Sequence, residues 1–251
     1  MLCGVRLIVL GSGTCVPSLR RNAPGYLLLA GGSRLLIDCG SGTLLQLERV
    51  GQSYREIDAV CITHTHPDHV ADLVPLLHAL RATPGYVRTR KLPILGPPSV
   101  RALLERAYPR LLSGAAFAVP CIEMPGAVEL GSVQMSACRT PHTDDSVAYR
   151  IEEQNGSVVL TGDTDYDEGL VAFARGADLL VADCSFPDQL KAAAHMSSSD
   201  CGRLAREARV GRLLLSHLYP TELPEALRLS ECRAIFGGPV QLAEDLIEIE
   251  I

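Results

Sequence analysis

His64-Thr65-His66-Pro67-Asp68-His69 places three histidines and an aspartate within six positions. The run follows the apolar stretch 58–63, which reads as a strand, and precedes a segment of helical period over 70–80. Imidazole nitrogens suit zinc and other borderline divalent ions, and a carboxylate supplies a hard oxygen to a second ion or to a bound water. A short turn at a strand end can aim alternate side chains at different ions. Gathered merely as a helix cap, these side chains would repel one another on protonation. The run therefore points to a metal site.

Outward from it, short Val-, Ile- and Leu-rich runs predict strands over 5–10, 26–29, 35–37, 59–63, 92–95, 133–137, 147–151, 157–160, 179–181 and 213–215. Segments of helical period lie between them over 44–50, 70–80, 100–112, 168–174, 199–209 and 223–235. Ser199 and Asp200 are placed to cap the fifth, and Gly211 to stop it. Strand and helix alternate in both halves, which predicts an α/β fold of two packed sheets with helices outside. No linker composition and no short repeat divides the chain, so residues 1–251 are expected to form a single domain.

A dinuclear site needs more ligands than the His-rich turn contains. His142 in Thr140-Pro141-His142-Thr143, Asp163 in Leu160-Thr161-Gly162-Asp163-Thr164 and His217 in Leu213-Leu214-Leu215-Ser216-His217 each stand at the exit of an expected strand. An α/β architecture collects its chemistry at such ends. His78, in the mostly apolar stretch 74–80, reads as a helix histidine rather than a ligand. Gly11, Gly13, Gly40 and Gly42 complete no phosphate-cradling motif and read as tight turns.

With 47% hydrophobic and 21% charged residues in 251, the composition is that of a globular enzyme and excludes disorder, collagen and coiled coil. The net charge of −6 excludes the uniform basic field of a general nucleic-acid binder. One stretch departs from it: Arg81, Arg88, Arg90, Lys91, Arg101, Arg106 and Arg110 face only Glu105. That reads as solvated helix faces and a turn, with a phosphate-facing patch as the alternative. The odd number of cysteines, nine without a C-x-x-C, predicts buried thiols in a reducing compartment. With no cleavage site and no 18-residue apolar run, a cytoplasmic protein without a membrane partner is expected.

The H-T-H-P-D-H run, His142, the T-G-D at Asp163 and the L-S-H at His217 resemble, in order and context, the metal motifs of metallo-β-lactamase-fold hydrolases. Within that superfamily, Leu10-Gly11-Ser12-Gly13-Thr14-Cys15-Val16-Pro17-Ser18, the Arg21-Asn22 pair and Ile37-Asp38-Cys39-Gly40-Ser41-Gly42-Thr43 are similar to the ribonuclease Z branch, which processes tRNA 3′ ends. The resemblance implies an αββα sandwich with two divalent ions per chain, zinc first and manganese or iron as alternatives. It implies His64, His66 and His142 on one ion, Asp68, His69 and His217 on the other, Asp163 bridging, and a hydroxide between the ions as nucleophile. Asp68 would orient or deprotonate the water. His195 matches a histidine that contacts the scissile phosphate, a candidate general acid, and Asp183 matches the acidic residue that orients it. Asp38 is expected to support the ligand loops.

The chain departs from the branch in one respect. Bacterial ribonuclease Z carries a long glycine- and lysine-rich arm between the third histidine motif and the bridging aspartate, whereas here 21 positions separate His142 from Asp163 and leave no room for it. The whole chain has only two lysines, Lys91 and Lys191, no Trp, four Phe and seven Tyr, so phosphate-backbone affinity and base stacking lose their usual support. The expected substrate is therefore a small phosphodiester or related ester, with weak tRNA binding. A tRNA 3′ endonuclease, an arylsulfatase- or lactonase-like ester hydrolase, and a metal-stabilised binding protein without turnover are the alternatives, and assembly as a homodimer is left open.

Overall fold

In β1 (Arg6–Gly11), Leu7 and Val9 point to one face and Ile8 and Leu10 to the other, and all four are buried. Such strands lie in sheets covered on both sides, which is why the apolar runs are continuous rather than alternating. The computed structural model describes residues 4–107, 109 and 117–251. Among these, β1 joins β2 (Gly25–Ala30), β3 (Ser33–Ile37), β4 (Ala59–Cys61), β5 (Ile94–Gly96), β6 (Cys121–Glu123) and β14 (Glu248–Glu250) in a sheet of order β14-β1-β2-β3-β4-β5-β6. The second sheet holds β7 (Ala127–Leu130), β8 (Val133–Arg139), β9 (Val147–Glu153), β10 (Gly156–Leu160), β11 (Leu179–Asp183), β12 (Arg212–Ser216) and β13 (Val240–Leu242), in the order β13-β12-β11-β10-β9-β8-β7.

The inner faces of the two sheets share one core. Leu7, Val9, Tyr26, Leu28, Leu35 and Ile37 of the first pack with Met135, Tyr149, Ile151, Val158, Leu160 and Val181 of the second. The Tyr149 hydroxyl crosses between the sheets, lying 3.0 Å from Ile62 O and 3.1 Å from Leu95 O, so its proton is shared by two backbone acceptors of the first sheet. On the outer faces α1 (Thr43–Arg49), α3 (Leu73–Ala82) and α4 (Pro98–Ala107) cover the first sheet. α5 (Glu168–Ala174), α6 (Ser198–Ala208) and α7 (Glu225–Phe236) cover the second. The architecture is the αββα sandwich of the metallo-β-lactamase fold.

Local departures from the sequence reading have physical causes. The segment expected as a helix over 70–80 is split into α2 (Pro67–Val70) and α3, because Asp72 N donates to Cys39 O at 2.9 Å instead of back along the helix, while its carboxylate accepts from Leu44 N at 3.0 Å. Pro75, which has no N–H to donate, then falls in the first turn of α3, where none is needed. α6 is capped by Ser197, two residues before the expected Ser199, in a reciprocal box with Asp200, and it ends on Arg209 in the left-handed region rather than at Gly211. Residues 108 and 110–112 of the helix expected over 100–112 lie outside the described residues. The short edge strands β6, β7, β13 and β14 escape the sequence reading, since three or four residues give too little period to register.

Cys15 is exposed and Cys121 and Cys138 are half-buried, against the expectation of uniformly buried thiols; the other described cysteines are buried, and all are free. No helix among the described residues is long and apolar enough to cross a membrane.

Candidate metal centre

The parallel strands of both sheets deliver their C-terminal ends to one edge of the sandwich. Asp38 follows β3 and His64 follows β4, while His142, Asp163 and His217 follow β8, β10 and β12, and Asp183 ends β11. Two glycines allow these exits to close up. A Cβ on Gly40 would meet Asp68 O at 2.1 Å, and Gly162, at φ 58°, would put one 2.7 Å from Thr63 Cβ. The first contact sets the turn after β3 against the His-rich turn. The second sets the T-G-D turn against the residue before His64.

Four imidazoles are held from behind through Nδ1. Asp38 Oδ2 lies 2.8 Å from His69 Nδ1, and a carboxylate can only accept, so that nitrogen carries the proton. Asp38 also accepts from Thr63 N and Thr63 Oγ1, which leaves the threonine oxygen to accept from His64 Nδ1 at 3.1 Å. His142 Nδ1 donates to Ala194 O at 3.0 Å. Ser185 Oγ gives its proton to Asp183 Oδ1 at 2.6 Å and accepts from His217 Nδ1 at 3.1 Å. In each ring the Nε2 lone pair is thereby turned inward. His66 is reversed: its Nδ1 lies 2.9 Å from His64 Nε2 and 3.1 Å from His142 Nε2.

Asp163 stands between two sets of nitrogens. Its Oδ2 is 3.8 Å from His64 Nε2 and 3.6 Å from His142 Nε2, while its Oδ1 is 3.2 Å from His69 Nε2 and 3.3 Å from His217 Nε2. Asp68 Oδ2 closes the second set, 3.8 Å from His69 Nε2 and 3.6 Å from His217 Nε2. All seven sequence-identified ligand candidates thus meet in two groups, His64, His66, His142 and Asp163 in one and Asp68, His69 and His217 in the other. Asp163, His195 and His217 form a third close grouping.

The donor set fits a divalent cation. His69 Nε2, His217 Nε2 and Asp163 Oδ1 are buried without a hydrogen-bond partner although they approach one another closely, so three lone-pair atoms converge with no proton aligned between them. The local field also seeks positive charge. Burial lowers His217, but Asp163, Asp183 and Asp68 overcome it and push the imidazole up to about 10. Burial opposes ionisation of Asp163 as well, yet His217 and His69 hold its carboxyl well below the usual carboxylate range. His64 goes the other way: burial, then the neighbouring His69, hold it far below the ordinary imidazole value and keep its lone pair free.

His195 sits at the rim with its side chain 15% exposed, its Nδ1 2.8 Å from Asp183 Oδ2 and 3.1 Å from Ser185 Oγ. Its ring stacks on His217 at 5.6 Å and 12°. The residues that sequence reasoning missed are Ser185, Phe186 and Tyr219. Phe186 and Tyr219 stack at 4.9 Å and both set an edge against His195. Ser185 carried a weak signal: two residues beyond Asp183 on an extended exit, its side chain falls on the same side. His78 is exposed on α3, away from these groups. Part of the basic stretch is committed to partners within the fold, while Lys91 and Arg106 are exposed. Arg88 is buried and gives its protons to four carbonyls, Arg90 pairs with Asp58, and Arg101 pairs with Glu123. Arg110 lies outside the described residues.

Comparison with known proteins accords with this arrangement. A family model described as a beta-lactamase superfamily domain matches residues 33–218. The chain is 31% identical over 244 residues to the probable metallo-hydrolase YhfI of Bacillus subtilis (strain 168), covering 96% of this chain and 97% of that one. It is 31% identical over 276 residues to ribonuclease Z of Mycobacterium sp. (strain KMS), covering 98% and 96%. The crystal structure of YhfI superposes with a TM-score of 0.86 at 29% identity, over 98% of this chain and 99% of the other. Human tRNase Z, short form, shares the fold with a TM-score of 0.78 at 23% identity, over 97% and 98%. With its histidines and aspartates gathered at the shared strand exits, the chain belongs to the β-lactamase superfamily and, within it, to the metallo-β-lactamase-fold hydrolases similar to ribonuclease Z.

Proposed function

We propose that this protein is a dinuclear divalent-metal phosphodiesterase acting on a small diester, with zinc as the ion. His64, His66 and His142 would hold one ion, Asp68, His69 and His217 the other, and Asp163 would bridge them. The observation that carries this reading is the division of the Asp163 carboxylate, one oxygen toward each set of nitrogens. When bound, two such cations would supply Lewis acidity to the phosphoryl oxygens and lower the pKa of a bound water toward neutrality.

The chain's own residues then divide the work. Asp68, half-buried beside His69 and His217, would orient the attacking water and take its proton. His195 gives a proton to the leaving oxygen, and Asp183 keeps that ring aimed by holding Nδ1. Burial lowers the His195 pKa, but the Asp183 bond outweighs it, so the ring is held above the ordinary imidazole value in its proton-bearing form. A cleft of about 310 Å³ lined by Gly13, Thr14, Arg20, Arg21, Tyr219 and Glu225 among others begins one residue beyond His217, at Leu218, and is where a small substrate would extend from the site.

The ribonuclease Z relative favours a second reading, cleavage of tRNA 3′ ends. Against it stand the hairpin of β9 and β10 filling the interval between His142 and Asp163, and the internal pairing of the basic stretch. The test is turnover of bis(p-nitrophenyl) phosphate and of a precursor tRNA by the protein stripped of metal and reloaded with zinc, manganese or iron. Metal-dependent hydrolysis of the diester alone supports the first reading. Processing of the tRNA at comparable efficiency supports the second, and no turnover of either ester under any metal contradicts both.

A further inference from the structure

Arg228 on α7 runs into the interior behind the cleft and is 1% exposed. Its Nη2 donates to Ser185 O at 3.0 Å and to Tyr219 O at 2.8 Å, while its Nε is buried without a hydrogen-bond partner. Glu225 and Glu231 act on it only through space, and Glu225 is engaged by Arg21 at 3.0 Å. A guanidinium buried against carbonyls alone opposes folding, and an apolar side chain of similar volume is often as good or better for stability. Arg228 is therefore poorly explained by stability, and its only described side-chain bonds go to two loop carbonyls.

Those carbonyls belong to the exits of β11 and β12. The strands run in parallel register as far as Asp183 opposite Ser216. Beyond that pair they are joined by Cys184 N donating to Ser216 O at 2.8 Å and by a longer bond from Tyr219 N to Ser185 O at 3.3 Å. The first exit carries the Ser185 hydroxyl, which lies 3.1 Å from both His195 Nδ1 and His217 Nδ1. The second carries His217 itself, at φ 55°, and the Tyr219 ring, whose edge meets both imidazoles. A shift of either exit would move the hydroxyl relative to the two rings it orients.

Resting on the reading of the site given above, we propose that Arg228 is a positioning residue: by clipping Ser185 O to Tyr219 O it fixes the Ser185 hydroxyl between the His195 and His217 rings and so sets the aim of both. Its charge makes the clip rigid, because a charged donor gives shorter and stronger bonds than a neutral one. Both bonds leave one nitrogen, Nη2, whose two protons are fixed in the guanidinium plane, whereas the protons of an ammonium rotate about its stem.

The experiment compares Arg228→Met and Arg228→Lys with the parent in the zinc-loaded full chain. Solvent exchange of the imidazole Nδ1–H protons is followed by NMR, with His69, held by Asp38, as the internal control. For Arg228→Met the proposal expects faster exchange at His195 and His217 with His69 unchanged. It also expects a fall of roughly 10–100-fold in kcat on an unactivated diester, a smaller fall on the p-nitrophenyl diester and little change in KM. Arg228→Lys should recover part of both effects. If Arg228→Met does not fold, Arg228→Lys carries the same comparison. Equal acceleration at all three histidines, or unchanged exchange at His195 and His217, overturns the proposal. If the parent hydrolyses neither ester the phosphodiesterase reading fails, and the exchange measurement still decides the positioning role.

Discussion

His195 Nδ1 lies 2.8 Å from Asp183 Oδ2, and the Asp183 side chain that holds it is fully buried. A buried carboxylate in contact with one imidazole fixes both the tautomer and the direction of the ring, leaving Nε2 to face whatever enters the cleft. His195→Ala should therefore keep the bound metal and lose roughly 10²–10⁴-fold in turnover of a diester with a poor leaving group. With p-nitrophenolate, which needs little protonation, the loss should shrink. Asp183→Asn should follow the same pattern. Rates on both esters and metal content check this, and loss of an ion from His195→Ala would make that residue a ligand instead.

Tyr149 ties the sheets together at the level of the His-rich turn. Tyr149→Phe keeps the ring and removes the one proton shared by Ile62 O and Leu95 O; Leu95 O keeps its bond from Ile62 N at 2.8 Å, so the loss falls on Ile62 O. The expected cost is about 1–3 kcal/mol, read from urea unfolding. Because both sheets contribute to one core, we propose residues 1–251 as a single domain, and the metal-free chain should unfold in one transition by fluorescence and by circular dichroism. Two separated transitions would count against a single unit.

Asp200 gives a pH dependence of known sign. Burial raises its carboxyl, but Lys191 and the Ser197 backbone bond outweigh that and hold it below the usual 3.8. Its contribution to stability is therefore full above that ordinary value and fades as pH falls through the depressed one. Asp200→Asn should be less stable than the parent at neutral pH, and the difference should vanish in acid. Thermal unfolding of the two proteins across that range is the check, and a gap that widened toward low pH would contradict the assignment.

Binding to precursor tRNA should be micromolar or weaker at physiological salt, since Arg88, Arg90 and Arg101 are committed within the fold. Fluorescence anisotropy measures it. Submicromolar affinity would return the substrate question to RNA, and replacement of Arg88-Thr89-Arg90-Lys91 would then be the first variant to make.

The strand exits were legible in the sequence because short apolar runs stop at polar residues: Asp163 and His217 come after buried strands of the parallel part of the second sheet, and His142 follows the half-buried antiparallel β8. His64 to His69 was legible from residue chemistry alone. The support behind these groups was not. Ser185 is an ordinary serine until β11 and β12 are known to be neighbours, and Arg228, 43 positions away along the chain, reads as a polar helix residue until α7 is seen to cross behind them. Likewise the charge of Arg81 to Arg110 can be counted from sequence, but whether it faces solvent or carbonyls is decided by packing.

Metal stoichiometry tests most directly whether Asp163 bridges two ions. After saturation with zinc and removal of excess, elemental analysis should give two ions per chain in the parent. His66→Ala should lose one, and Asp163→Ala should weaken both. At most one ion in the saturated parent, or an unchanged metal content in Asp163→Ala, would contradict the account.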